Sequence, residues 1–317
     1  MLETESPRKG VILSHTLGKP EIVELKKAIR KRLFDSIEDS KERERLLDLL
    51  EDFARTPFGA SVLQNRGFSG YWSDFIVRYP YEIKEKGVHD DGRALSDFER
   101  QMFETFPSLI ATQNRHQIFM EVIKKHCIDG AVIGSVPCGL MTELVAQRFE
   151  TKDIKLMGFD LDAKVMERAK AYAQKMGKLP YCEFVCADAW HLPIENELTL
   201  LVSNGLNVYV REEEQLLGLY ASFYKALRPG GSLLTSYMPY PKRGNEECEW
   251  DLEVIDKKAL RLQRDLFITL AQANFAYYRS YAETKSQLEK VGFTDVKVIY
   301  DKFKMFPAIT AIKPLAS

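Results

Sequence analysis

The chain lacks cysteine pairs, long apolar runs and an excess of charge of one sign. Its five cysteines are odd in number and lie mostly in apolar segments, which excludes a disulfide framework and predicts reduced thiols in a cytoplasmic protein. No apolar run approaches the ~20 residues of a membrane-spanning helix, and the polar N-terminus lacks a signal-peptide core. The net charge of −1 argues against a broad nucleic-acid surface. We therefore expect neither a membrane partner nor a nucleic-acid partner.

Metal ligands are also scarce. Cys182 and Cys186 flank one short predicted strand, and no second Cys/His pair completes a zinc set. The sequence therefore predicts no metal. A hydrophobic share of 45% over 317 residues suits one large domain, or a core with a smaller attachment. The oligomeric state stays open.

The first part of the chain, residues 1–127, is predicted to be a mainly helical cap that contributes to substrate binding. Glu21–Phe34, Lys41–Ala54 and Asn114–Cys127 carry apolar residues at helical spacing. The remainder, residues 128–317, is predicted to form a second domain with an insertion at about 239–282.

In the second part strands and helices alternate, which predicts an α/β fold with a doubly wound, mostly parallel sheet. The predicted strands are 130–135, 154–160, 181–187, 198–204 and 231–238, with helices near 140–150, 162–176 and 211–227. The segment Arg228–Gly231 is expected to end a helix and turn into a strand. A long helix over Asp256–Val291 is predicted next. Two β-rich runs close the chain, Thr294–Asp301 and Met305–Ile312, and their short link predicts an antiparallel hairpin.

The most informative segment is Asp129–Thr142, which indicates a buried strand, a tight loop and the start of a helix. A second strand follows and ends at Asp160, 21 positions after Gly139. A carboxylate ~20 residues after a nucleotide loop is typical of a unit that binds an adenosine-bearing cofactor. The loop itself contains little glycine.

The order of elements over about 129–312 resembles class I S-adenosylmethionine-dependent methyltransferases. The resemblance rests on the first loop and on four later segments: Gly158–Asp162, Cys186–Pro193, Leu227–Gly231 and Gly292–Phe293. It implies a seven-stranded sheet that ends in a reversed pair, with S-adenosylmethionine as the cofactor. In that family an acidic residue and a Gly-x-Gly-x-Gly loop follow the first strand. Here Ile133 stands at the acidic position, Ser135 and Pro137 stand at the first two glycines, and only Gly139 is retained.

The resemblance implies that the loop holds the cofactor's amino-acid carboxylate through backbone N–H groups at a helix start. Its residues are Ser135, Pro137, Cys138 and Gly139. Pro137 lacks an N–H, which argues against a pyrophosphate ligand. Arg115, on the helix before the first strand, is a second candidate partner for this carboxylate. Its alternative is a solvated arginine at a helix start.

The adenosine end of the cofactor is assigned to the tips of the next strands. Asp160, with Leu161 beside it, is expected to accept the ribose hydroxyls, whereas Asp162 is predicted to cap the following helix. The resemblance implies that Asp188 binds the adenine amino group and that the Ala189 N–H meets the ring. A turn-forming role is the alternative for Asp188. Asn204 and Gly205 are expected where cofactor and acceptor meet.

Acceptor contacts are harder to assign, because displacement at a methyl group depends mainly on alignment and has no obligatory catalytic dyad. Asn207, Tyr209 and Tyr237 follow the fourth and fifth strands and are the candidates nearest the methyl group; ordinary packing is their alternative. Tyr71, Trp72 and Phe75, within Phe68–Tyr79, are the candidate substrate contacts. Their helical spacing equally predicts a packed helix face.

These features predict a methyltransferase that acts on a small-molecule acceptor, since charge is balanced and a helical cap can enclose a pocket. The acceptor atom, O, N or C, is not determined. One alternative is a nicotinamide-dependent oxidoreductase, against which the missing glycines and the terminal hairpin count. The other is a non-catalytic S-adenosylmethionine-binding protein, which the altered loop leaves open.

Overall fold

The computed structural model describes residues 21–242, 248–273 and 277–315. The chain divides into two compact units, the first comprising Met1–Tyr71 with Arg264–Asn274 and the second Trp72–Gln263 with Phe275–Ser317. This division lies well before the predicted boundary at 127/128. The predicted insertion at about 239–282 includes residues 243–247 and 274–276, which lie outside the described residues.

The first unit is helical. Its helices are α1 (Ile22–Ser36), α2 (Ser40–Arg55) and α3 (Pro57–Asn65), together with a π-helical turn at Asp265–Leu270. Asp39 caps α2 by accepting the Lys41 and Glu42 amides. The rings of Phe53, Phe58, Phe68 and Phe267 pack together in the interior. The two helices predicted in this region are present, with slightly different ends.

Further helices precede the sheet. They are α4 (Gly70–Arg78), a π-helical turn (Tyr79–Ile83), α5 (Lys84–Lys86), α6 (Asp97–Thr105) and α7 (Pro107–His126). Helix α7 begins earlier than the predicted Asn114 because Pro107 occupies its first position, where a proline loses no hydrogen bond.

The second unit contains a seven-stranded sheet in the order β3-β2-β1-β4-β5-β7-β6. Its strands are β1 (Ala131–Ser135), β2 (Ile154–Asp160), β3 (Cys182–Cys186), β4 (Leu198–Val202), β5 (Leu227–Ser236), β6 (Thr294–Ile299) and β7 (Ala308–Ile312). Strands β1–β5 pair in parallel, and β7 is antiparallel to both β5 and β6. The predicted doubly wound sheet with a reversed terminal pair is confirmed.

Helices cover this sheet. They are α8 (Thr142–Val145), α9 (Ala163–Lys175), α10 (Glu213–Ala226), α11 (Lys257–Arg264) and α12 (Tyr281–Val291). One buried apolar cluster joins the strands to α10 and α12, and another joins them to α7 and α8. Strand β4 is buried along its whole length, as expected for a strand covered on both sides.

Three local predictions are corrected. The helix expected near 140–150 is only the single turn α8. The continuous helix over Asp256–Val291 is interrupted, because Ser280 and Glu283 form a capping box that starts α12 anew. Arg228–Gly231 lies within β5 as a bulge, since Leu227 pairs with Leu198 but Ser232 pairs with Leu200.

Candidate functional site

The predicted site residues gather at the carboxyl ends of the parallel strands, where open α/β sheets bind their ligands. Residues 136–141 follow β1, Asp160 ends β2, Asp188 follows β3, and Asn204 follows β4. The sheet order places β1 between β2 and β4. The loop after β1 therefore lies between the ends of its two neighbouring strands.

Asp160 is bonded directly to the loop. Its Oδ2 accepts the Gly139 amide at 3.2 Å, and its Oδ1 accepts the Asp162 amide at 3.0 Å. Burial nevertheless raises the pKa of this carboxyl above its usual value. Asp162 accepts the Lys164 amide and caps α9, as predicted. Asp160 is thus a desolvated, preoriented acceptor at the strand tip.

The loop amides are used within the protein, which differs from the expectation that they bind the cofactor's carboxylate. Val136 donates to the Val202 carbonyl, Cys138 donates to the Phe159 carbonyl at 2.8 Å, and Gly139 donates to Asp160. Pro137 has no amide hydrogen. Between 136 and 139 every backbone donor is therefore engaged. For these residues the predicted binding of the cofactor's carboxylate by backbone N–H groups is corrected.

The loop packs closely on β2 because a glycine lies beneath it. A Cβ at Gly158 would lie 3.0 Å from Met141 Sδ and 3.1 Å from Cys138 Sγ. These distances are shorter than almost all real Cβ contacts. The close approach that the lost loop glycines would permit is thus supplied in part from the neighbouring strand.

Sequence reasoning missed a second buried carboxylate, Glu143. Its Oε1 accepts the Ser135 hydroxyl at 2.6 Å, and burial raises the pKa of its carboxyl. The neighbouring Thr142 donates to Asp74 at 2.8 Å, and Asp74 also accepts from Arg78 Nε at 2.6 Å. The Ser135 hydroxyl is therefore engaged by Glu143. No sequence motif marks this pair, because its members are brought together only by the loop.

Asp188 forms the local turn that was its alternative role. Its side chain accepts the Trp190 amide at 3.1 Å and lies 3.2 Å from His191 Nδ1. Ala189 is buried, whereas Leu161 beside Asp160 is 66% exposed. An apolar side chain open to solvent at this edge is suited to cover an aromatic base.

The three acceptor candidates differ in how far they are committed to internal hydrogen bonds. Asn207 is buried and donates from Nδ2 to Tyr220 Oη at 3.1 Å and to the Ser236 carbonyl at 2.6 Å. Tyr237 is buried and donates to Glu249. Tyr209 is 49% exposed, although burial of its surroundings raises the pKa of its hydroxyl. An open ring with a desolvated hydroxyl is typical of a side chain that lines a recess.

The turn that carries Tyr209 is held by Arg279, which sequence reasoning did not identify. The buried Arg279 guanidinium donates to the Asn207 carbonyl at 3.3 Å and also to the Val210 carbonyl. Gly205, with a φ of +92°, makes the preceding bend. The position of Tyr209 is therefore set by residues distant in sequence.

Arg115 is half-buried in the second unit, with its Nε inaccessible to solvent. Its guanidinium stacks over the Phe306 ring at 5.4 Å, and burial lowers its pKa to about 10, opposed by Tyr209 and Asp301. Within the described ranges its Nε has no hydrogen-bond partner, nor does the buried Oδ1 of Asn204. Helix α7 begins at Pro107, so Arg115 does not lie at a helix start, and its half-buried side chain is only partly solvated.

The aromatic candidates before the sheet are mostly packed. Trp72 and Phe75 are buried, and their rings contact His89 at 5.8 and 5.4 Å. Tyr71 is half-buried and belongs to the first unit. The burial of Trp72 and Phe75 favours the packed helix face over a substrate contact.

Among residues 21–242, 248–273 and 277–315, no group of three or more His, Cys, Asp or Glu side chains is arranged to hold a metal ion. In the same part of the chain, no helix is both long and apolar enough to cross a membrane.

Comparison with known proteins agrees with this geometry. A family model described as "Methyltransferase domain" matches residues 136–231. The carboxy-S-adenosyl-L-methionine synthases of Actinobacillus pleuropneumoniae serotype 5b (strain L20) and Alteromonas mediterranea are 21% and 23% identical. Their alignments cover 62% and 68% of this chain, and 79% and 92% of those proteins.

Among solved structures, a possible exported protein from Bordetella parapertussis is 31% identical, with a TM-score of 0.82. The likeness covers 92% of this chain and 95% of that one. The matched family model runs from the loop after β1 into β5 and so includes Gly139, Asp160 and Asp188. Its match identifies a methyltransferase domain within the chain, and the sheet order and the strand-tip carboxylate are those expected of class I S-adenosylmethionine-dependent methyltransferases.

Proposed function

We propose that this methyltransferase acts on a small-molecule acceptor, and that the site at the ends of β1–β4 binds the adenosine half of its cofactor. The observation that carries the cofactor site is the pairing of Asp160 with Gly139 at 3.2 Å. When bound, S-adenosylmethionine supplies an electrophilic methyl group on a sulfonium. Asp160 would accept the ribose hydroxyls, because a desolvated carboxylate is a strong acceptor.

The adenine contacts are proposed for Leu161, Asp188 and Ala189. Leu161 presents an exposed apolar side chain, and the turn made by Asp188 orients the Ala189 backbone. Asp188 already accepts one amide, yet a carboxylate has further lone pairs for an amino group. Asn204 and Gly205 stay proposed as contacts between the cofactor and the acceptor.

Methyl transfer requires the chain to align a nucleophile and to exclude water. Of the three acceptor candidates, Tyr209 is the one whose side chain is open, so we propose that it contacts the acceptor. Asn207 and Tyr237 are proposed to support the site through their bonds to Ser236 and Glu249. No step needs a proton acceptor unless the nucleophile arrives protonated.

A small-molecule acceptor is supported by the balanced charge of −1 and by the exposed ring of Tyr209 after β4. We also propose a cytoplasmic location, because all five cysteines are free thiols, as is usual in a reducing compartment. Arg115 stays proposed as the cation for an oxyanion in this site. Its predicted ligand is the carboxylate of the cofactor.

Two measurements test the proposal. Calorimetric titration with S-adenosylmethionine, S-adenosylhomocysteine and NAD is expected to show binding of the first two only. Incubation with methyl-labelled S-adenosylmethionine and a metabolite extract is expected to give a labelled small molecule. Tight NAD binding, or the absence of any labelled product with active cofactor binding, contradicts it.

An incubation without extract is the necessary control. The curated relatives are named carboxy-S-adenosyl-L-methionine synthases. A carboxylated cofactor needs a donor of the carboxyl group, which only the extract can supply. If the cofactor gained a carboxyl group with extract but not without it, and no methylated acceptor formed, the chain would share the activity named for those proteins and the proposed acceptor would be wrong.

A further inference from the structure

We infer that Arg115 binds an oxyanion on the acceptor, so that the substrate of this enzyme is an apolar molecule carrying one carboxylate or phosphate. This inference rests on the proposed function and specifies the substrate class of the same site. Arg115 forms no ion pair: in the part of the chain that the structure describes, no carboxylate lies within 4.0 Å of its guanidinium. Its Nε is buried and unpaired.

A half-buried cation whose Nε is buried without a partner is costly for a fold to retain. Asp301 is the carboxylate whose charge acts on Arg115. Both of its oxygens are engaged, however, by the Phe303 amide at 2.9 Å and the Phe306 amide at 2.6 Å. Asp301 therefore offsets part of the charge without forming an ion pair. A planar guanidinium with open donors in such surroundings is suited to a bidentate oxyanion.

The neighbours of Arg115, which lies on α7, point to the acceptor and not to the cofactor. The groups that face it belong to the turn after β4 (Tyr209) and to the segment before β7 (Asp301, Phe306). The groups around the cofactor loop form a separate set, in which Asp160 and Glu143 both act on Cys138. Neither of these carboxylates is among the charges that act on Arg115. In the sheet order the first set belongs to β4 and β7, and the second belongs to β2 and β1 on the other side of the boundary between β1 and β4.

The surroundings of Arg115 suit an apolar body joined to the anion. Ala111, one helical turn before Arg115, belongs to a buried cluster with Phe303, Met305 and Phe306, against which Trp250 packs. Tyr209 supplies an exposed ring, and its hydroxyl stays neutral because burial raises its pKa. A neutral hydroxyl can donate a second hydrogen bond to the same oxyanion.

The test uses the whole chain saturated with S-adenosylhomocysteine, and benzoate, phenyl phosphate and benzamide as probes. Benzoate and benzamide have nearly the same shape but differ in charge, whereas phenyl phosphate separates a phosphate from a carboxylate preference. Thermal unfolding is measured at increasing concentration of each probe. At least one anion is expected to raise the melting temperature of the wild type, and benzamide is not.

Arg115→Met is expected to bind the effective anion roughly tenfold more weakly or worse, the usual loss when a charged hydrogen bond is removed. Arg115→Lys keeps the charge without the planar fork and should give an intermediate loss. Replacing an unpaired buried cation by an apolar chain does not endanger folding. Arg168→Gln, an exposed arginine on α9, is the matched control and should behave as wild type.

Calorimetry with S-adenosylhomocysteine separates the possible failures. Equal affinity of wild type and Arg115→Met supports the inference. A loss of tenfold or more in the variant would assign Arg115 to the cofactor's carboxylate and overturn it. Wild type that responds to neither anion, or as strongly to benzamide, also overturns it. If wild type does not bind S-adenosylhomocysteine at all, the proposed function itself has failed.

Discussion

At the scale of single residues, the decisive side chain is Asp160, whose role depends on a conflict between burial and hydrogen bonding. Three backbone amides, those of Gly139, Leu161 and Asp162, favour its charged form, yet burial outweighs them and raises its pKa. Holding a partly desolvated carboxylate has no benefit for folding. It is advantageous where a ligand supplies new donors, because hydrogen bonds to a desolvated anion are strong.

Asp160→Asn should therefore weaken S-adenosylhomocysteine binding roughly 10- to 100-fold, the range for hydrogen bonds to a charged group. The neutral amide removes a desolvated charge, so the melting temperature of the free protein at pH 7 is expected to stay equal or rise. Calorimetry and thermal unfolding measure the two effects. Asp162→Asn, which retains a helix cap on α9, is the matched control. Unchanged affinity in Asp160→Asn would show that the ribose assignment is wrong.

The raised pKa of Asp160 also predicts how binding depends on pH. The folded, free enzyme holds the Asp160 proton more tightly than an unfolded chain does. Its contribution to stability is thus present below the unfolded pKa of ~3.9 and is lost as pH rises through the folded pKa. The pH dependence of ligand affinity has the opposite sign, because the ribose hydroxyls donate to the ionised form of Asp160.

Affinity for S-adenosylhomocysteine is accordingly expected to fall as pH is lowered from 7, starting at a higher pH than an ordinary aspartate would cause. A calorimetric pH series on wild type and Asp160→Asn measures this. Glu143 also has a raised pKa, and the variant isolates its contribution. If both proteins lost affinity in parallel, Asp160 would not be the titrating group.

At the scale of elements, the loop after β1 shows how a glycine-poor segment can still lie close to a strand. Beside the retained Gly139, which has a φ of +50°, two features compensate for the missing glycines: the small Cys138 side chain and Gly158 on β2. The sequence identifies each of these residues. Only the pairing of β1 with β2 shows that Gly158 lies beneath Cys138 and Met141.

Gly158→Ala should displace the loop, because its new methyl group would lie about 3 Å from Met141 Sδ and Cys138 Sγ. We expect a loss of stability of about 1–3 kcal/mol, as in other overpacked cores, together with weaker S-adenosylhomocysteine binding. Urea unfolding and calorimetry measure both. Gly218→Ala on α10 has only an ordinary contact with Trp190 at 3.7 Å and should be neutral or stabilising. Similar behaviour of the two variants would argue against a role for the close approach.

At the scale of the whole molecule, the two compact units differ in their relation to the site. Asp160, Asp188, Tyr209 and Arg115 all belong to the second unit, together with the seven strands. Tyr71 is the one predicted site residue assigned to the first unit among those described. Cofactor binding is therefore expected to act on the unfolding of the second unit.

S-adenosylhomocysteine at 100 times its Kd should stabilise the folded state by about 2.7 kcal/mol, a rise in melting temperature on the order of 5 °C for a protein of this size. NAD at the same concentration should have no effect. Hydrogen exchange should show new protection after β1, β2 and β3, and little within α1–α3. Protection confined to the first unit would contradict the location of the site.

The sequence by itself determined the local features. Alternating apolar segments predicted the parallel sheet and its reversed end, because the periodicity of a strand or a helix depends on residues that are close together along the chain. It also identified Asp160 at a strand tip and Asp162 as a helix cap. The capping box at Ser280 and Glu283 was visible too, yet apolar periodicity across Asp256–Val291 concealed the break.

Only the tertiary structure decided what each site residue contacts. It showed that the loop amides donate hydrogen bonds to Val202, Phe159 and Asp160, and that the Ser135 hydroxyl donates one to Glu143. It also placed Arg115 beside Tyr209 and Phe306, residues 94 and 191 positions away. The physical reason is that hydrogen-bond satisfaction and desolvation depend on every neighbour in space. A sequence pattern reports only the neighbours along the chain.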